Sequence, residues 1–148
     1  MKTGLEIQPS TLVTESRIES LIRSGNATAI FLQGIFPFVG HGIHEPLSLN
    51  ESLRYTVPKG TICEALYFRC GNFSDDLLYL TLNADGVPTR YVPVSPKGDA
   101  DIAMLALDAY HPDTLIEICI AAPRSLAGSV VVDVGLVAIQ ADEFVHRK

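Results

Sequence analysis

From residue 27 onward, the chain is a succession of short runs rich in β-branched and aromatic residues, cut by Gly, Pro, Asn and Asp. Runs of that length and composition fit strands. The intervals between them are too short, and too rich in Pro and Gly, for the crossover helices of a parallel sheet. The pattern predicts strands at about 27–36, 53–57, 61–70, 77–82, 88–94, 100–107, 114–121 and 129–139. "LLYLTLNADGVPTRYVPV" is the clearest hairpin, because Asn83, Asp85 and Gly86 tolerate the positive φ angles of a tight connection. "VSPKGDAD" and "AYHPDT" mark two further turns. About eight strands with such connections imply an all-β fold, an antiparallel β-sandwich of jelly-roll or Greek-key style.

One short helix stands in front of the strands. In "TESRIESLIRSGN", Thr14 is placed to cap, Glu15 and Arg23 complement the two ends, and Gly25 is placed to stop it. Ile18, Leu21 and Ile22 form one apolar stripe, which a helix of about three turns must bury against something. The expected organisation is an N-terminal segment 1–26 carrying this helix, a sandwich domain 27–140, and a polar tail 141–148.

Of the 148 residues, 47% are hydrophobic and only 19% charged. A small domain with so few charges leaves apolar surface uncovered, which points to a homo-oligomer. The 11 basic residues are scattered singly against 17 acidic ones, for a net charge of −6. Neither nucleic acid nor an anionic membrane is an expected partner, since both require clustered Lys and Arg. The N-terminus lacks the apolar core of a signal peptide, and a cytoplasmic location is expected.

Cys63, Cys70 and Cys119 are too few for a disulfide framework and read as reduced, buried thiols. In a regular strand the odd separation of Cys63 and Cys70 puts them on opposite faces. The same alternation groups Arg69 with Cys63, Ala65 and Tyr67, and groups Phe68 with Ile62, Glu64 and Leu66.

Two sets of residues could carry chemistry. The loop "IFPFVGHGIHEPLSLN" holds His41, His44 and Glu45, which with His111 from "AYHPDT" would make a zinc or iron ligand set. The spacing is not that of two histidines on one helical face, and Gly40, Gly42 and Pro46 account for a plain turn. "FPF" is expected to interrupt the pairing of the first strand. The second set is a polar patch of Tyr67, Arg69, Tyr79, Arg90 and Tyr91, whose rings and guanidinium groups suit a small polar ligand or a subunit interface. Arg69 would pair across strands with Glu117 or Asp133.

No nucleophile elbow, phosphate loop or C-x-x-C is present, and "TLNADG" fails as a calcium loop because Thr81 and Val92 stand where ligands belong. No cofactor is therefore predicted beyond the candidate zinc or iron. The leading reading is a non-enzymatic, self-associating module that binds a protein partner or small ligand. A metal-binding protein using the histidine loop is the alternative, and a structural subunit of a larger assembly is the third.

Overall fold

The computed structural model describes residues 16–104 and 109–145. One antiparallel sheet contains β1 (Ala27–Val39), β4 (Thr61–Asn72), β7 (Asp99–Ala103), β8 (Ala109–Tyr110) and β10 (Ala127–Gln140). The other contains β2 (Leu47–Ser48), β3 (Arg54–Thr56), β5 (Leu78–Ala84), β6 (Val87–Val94) and β9 (Leu115–Ala121). Their orders are β1-β10-β4-β7 and β2-β9-β5-β6, with β8 also on β4 and β3 also on β9. The chain crosses from sheet to sheet as it winds, so sequence neighbours rarely end up side by side. That is the jelly-roll arrangement of two antiparallel sheets. All eight expected strands are present, β2 and β8 are short additions, and 105–107 of the sixth fall outside the described residues.

Alternation along the strands fills the space between the sheets. Val130, Val132, Val134 and Leu136 of β10 meet Leu78, Leu80 and Leu82 of β5 and Ile116, Ile118 and Ile120 of β9 in one core. Glu117 faces outward, as the alternation in "LIEICIAA" requires, and pairs with Arg54 at 2.8 Å.

Two details depart from the sequence reading. First, "FPF" does not interrupt β1. The ladder to β10 runs without a register shift from Ala27↔Ile139 to Val39↔Ala127 and includes Pro37↔Ser129. At either end of this ladder an even-numbered residue bonds toward β10: Gln140 N–H to the Asn26 carbonyl (2.9 Å) and Gly40 N–H to the Leu126 carbonyl (2.7 Å). In an antiparallel pair, successive residues direct their backbone groups to opposite sides. The odd residues of β1 therefore face the free edge, and Pro37, being odd, costs the ladder no donor.

Second, Cys63 and Cys70 share a face. Between β10 and β4 the register shifts at Gly135/Leu136, where Gly135 faces Tyr67 but Leu136 faces Ala65. The extra residue, Leu66, reverses the parity of everything beyond it. Cys63 and Ala65 join Phe68 and Cys70 in the core, while Tyr67 and Arg69 face out. The thiols are still some seven residues apart along one strand, roughly 20 Å, and all three cysteines are buried and free.

The bulge shapes the outer surface too. A Cβ on Gly135 would lie 2.2 Å from Cε2 of Tyr67, so the tyrosine ring rests flat on a glycine that leaves room for it. Farther along β10, Val137 and Ile139 also face outward, and they bury Ile18 and Leu21 of the N-terminal helix α1 (16–23). The helix ends as "SGN" predicts. Gly25 has φ +83°, the Asn26 N–H reaches the Leu21 carbonyl (2.8 Å), and the Gly25 N–H reaches that of Ile22 (3.1 Å), a Schellman stop. Ile22 departs from the buried stripe and is 38% exposed. The proposed cap Thr14 lies outside the described residues. Part of the expected tail is ordered as a helical turn, α2 (Asp142–Val145), and Glu143 pairs with Arg17 of α1 at 3.2 Å.

Burial pushes the Cys63 and Cys70 thiols up to about 12, with Glu64 and Asp99 respectively adding to the rise. An unfolded chain ionises these thiols near their ordinary value of 9.0. Their contribution to stability is thus complete below pH 9 and is lost as pH rises toward 12, at about 1.4 kcal/mol per pH unit for each thiol. In denaturant titrations across that window, Cys63→Ala should show a shallower fall in stability than the parent by about that slope. An unchanged slope would mean the thiol is not protonated in the native state. A second test concerns the bulge. Gly135→Ala should cost about 1–3 kcal/mol through overpacking, and much less in a Tyr67→Ala background, as a double-mutant cycle in chemical denaturation would measure.

Candidate functional site: an uncharged sheet edge and the face beside it

The histidine loop is a turn held by the backbone. The Gly40 N–H binds the Leu126 carbonyl, the Ser125 N–H binds that of Gly40, and the Gly42 N–H binds that of Ala122 (2.7–2.9 Å). Glu45 N–H closes the turn on the Gly42 carbonyl at 3.0 Å. The strand passes so close to 122–123 that a Cβ on Gly40 would sit 2.0 Å from the Pro123 carbonyl oxygen, and Gly42 has φ +130°. The glycines are there for the path of the chain. His41, His44 and Glu45 are exposed on it, next to the C-terminal end of β9. His111 precedes the other end of β9, roughly 23 Å away for a seven-residue strand. Its neighbour Asp113 pairs with Lys59 at 3.0 Å. Among the described residues, no group of three or more His, Cys, Asp or Glu could hold a metal ion.

The tyrosine–arginine patch divides between the two sheets. Tyr79, Arg90 and Tyr91 belong to β5 and β6, where the rings of Tyr79 and Tyr91 are tilted against each other at 5.7 Å. Tyr67 and Arg69 belong to β4, on the outside of the other sheet. The guanidinium of Arg69 lies 4.4 Å from the centre of the Tyr67 ring, which itself lies on Gly135. Tyr67 donates its hydroxyl proton to Asp133 at 2.9 Å. Arg69 sits between Asp101 (3.3 Å) and Asp133 (3.9 Å), its cross-strand neighbours on β7 and β10. Of the two partners expected for Arg69, Asp133 is correct and Glu117 belongs to Arg54. Burial, reinforced by the hydrogen bond to Asp133, pushes the Tyr67 hydroxyl above its usual range, so it remains a proton donor.

Arg69 and Asp101 separate two shallow clefts on this face. One, of about 560 Å³, runs past Asn72, Phe73, Lys97 and Asp99. The other, of about 550 Å³, lies under α1 and is lined by Ile18, Ile22, Phe31 and Tyr67. With a carboxylate on either side, the Arg69 charge is already answered. The group is better placed to hold the sheet surface together than to capture an anion.

Phe31 leads from this face to the free edge. Among the described residues β1 pairs only with β10, and its odd residues carry their side chains to the outer face and their backbone groups to the open side. Three of those side chains are large, apolar and exposed: Phe31 (54%), Ile35 (67%) and Val39 (57%). The stretch "GNATAIFLQGIFPFVG", residues 25–40, contains no charged side chain. The other edges are guarded in the ways sheets usually guard them. β6 carries Pro88 and Pro93, β7 carries Asp99 and Asp101, and β2 and β3 are two and three residues long. Sequence reasoning passed over this edge. The charge-free stretch is visible in the sequence, but that it is an edge depends on the topology.

No family model and no curated protein matches this chain. Solved structures with a similar course of strands include a protein of Bacillus endospore appendages, described as disulfide-linked pili (9% identity, TM-score 0.40, 77% of this chain and 89% of that one). Another is a chain of infectious bursal disease virus, Gx strain (14%, TM-score 0.44, 78% of this chain and 33% of that one). A third is the tobacco streak virus coat protein (11%, TM-score 0.38, 78% of this chain and 85% of that one). This chain spans about a third of the bursal disease virus chain it resembles.

Proposed function

We propose that this protein is a self-associating structural module, a subunit of a homomeric assembly rather than a catalyst, and that it associates through β1. The observation that carries the reading is the row Phe31, Ile35 and Val39 on an uncharged strand of 13 residues whose outer edge has no partner among the described residues. A long edge of this kind exposes a row of backbone donors and acceptors beside apolar side chains, and pairing with another strand satisfies both. Low charge elsewhere does not explain it, because the acidic excess of the molecule, net −6, leaves this segment untouched.

Sedimentation or light scattering over a wide concentration range tests the reading. The parent should show a mass above the monomer that falls on dilution. Ile35→Lys and Phe31→Lys should each weaken association at least tenfold. Both positions are exposed, so stability should change by no more than about 0.5 kcal/mol. A parent that stays monomeric at high concentration would refute the proposal.

A further inference from the structure

We infer that the partner on β1 is the β1 strand of a second copy, antiparallel, with a twofold axis through Gln33. This rests on the self-association reading and adds the geometry that the reading leaves open. Pairing at the free edge can use only odd residues, since the even ones are committed to β10. Twofold pairing of two identical strands then places one residue opposite itself, an odd one in a hydrogen-bonded pair or an even one in a non-hydrogen-bonded pair. The choice of that residue fixes every other contact.

Gln33 is the middle residue of Ala27–Val39, so an axis there is the one that pairs β1 along its full length. It sets Phe31 opposite the second copy's Ile35 on both sides of the axis, Ala29 opposite Pro37, and Ala27 opposite Val39. Aromatic and β-branched residues directly opposite each other are favourable cross-strand pairs. The polar side chain in the outward row meets its own copy, and two primary amides are mutually donor and acceptor. Pro37 withholds one donor in each strand, which leaves about a dozen ladder hydrogen bonds. An axis at Ile35 instead would leave the Ala27 end unpaired.

Charge favours the same occupant. A copy of this edge brings no charge to a seam that has none, whereas most segments of a molecule of net −6 would bring a carboxylate. The strand is roughly 43 Å long and 10–12 Å across, so the pair buries about 1,000 Å², the lower bound of a specific interface. An interface of that size predicts a reversible dimer. The union makes one continuous sheet across both copies and removes the unguarded edge from each.

Cysteine cross-linking at exposed positions tests the axis, with the three native thiols buried and protonated at neutral pH. Residues opposite each other in a hydrogen-bonded pair have Cα atoms about 5.5 Å apart, within disulfide range. Gln33→Cys should give a covalent dimer under mild oxidation. Ile35→Cys should not, because its two copies lie at least about 13 Å apart in this register. The double variant Phe31→Cys/Ile35→Cys should cross-link in turn. Efficient cross-linking of Ile35→Cys alone would move the axis and overturn the register while leaving self-association intact. A concentration-dependent dimer in which none of these variants cross-links would exclude the Gln33 axis. A monomeric parent in sedimentation would instead remove the underlying reading.

Discussion

Strand β10 is the element on which the rest of the structure depends. It is hydrogen-bonded along one side to β1 and along the other to β4, and both ladders run nearly its whole length. Its even residues Val130 to Leu136 supply one wall of the core. Its odd residues do different work in turn: Asp133 receives Tyr67 and Arg69, Gly135 gives way to the Tyr67 ring, and Val137 and Ile139 take up the helix. A strand buried on both faces and bonded on both edges has little freedom to slip, because a one-residue shift would exchange all of these partners at once. The two neighbours it holds therefore inherit a fixed register, including the parity that decides which β1 groups point into solvent.

The β10–β4 bulge shows how one added residue reorganises two surfaces. Without it, Tyr67 would belong with Cys63 and Ala65 in the core, and Phe68 would lie outside. With it, Phe68 is fully buried, and the tyrosine becomes part of a stack of glycine, ring and guanidinium held by two aspartates. The individual ion pairs here are too exposed to add much to stability. Their effect is positional, since they keep Arg69 and Tyr67 against the sheet.

Strand positions, the helix stop at Gly25 and the outward direction of Glu117 were legible because each depends on a local rule of period or turn chemistry. The faces of Cys63 and Cys70 were misread for a definite reason: alternation is counted from a starting residue, and a bulge resets the count without changing the composition of the strand. Pro37 was misread as a break because its cost depends on which side of the ladder its nitrogen faces, a fact set by β10 almost a hundred residues away in sequence. The proposed tyrosine–arginine patch failed as a single surface on similar grounds. Strands that all look alike do not announce which sheet they enter, and the jelly-roll path separates β4 from β5 although they adjoin in the chain.

The edge of β1 combines a local signal with a global one. A run of sixteen uncharged residues in a β-sandwich has two ordinary explanations, a strand central to a sheet or a strand that becomes central on association. The composition of β1 is that of an interior strand. Its burial is not, for Phe31, Ile35 and Val39 stand in the open. Interior composition in an edge position is a local–global conflict of the kind natural sequences rarely keep unless something resolves it. Here the remaining edges show that the chain does carry prolines, carboxylates and short strands where pairing is to be avoided. On β1 the carboxylates and the brevity are missing and the one proline, Pro37, lies near an end, and a partner strand is the resolution that satisfies its backbone and its side chains together.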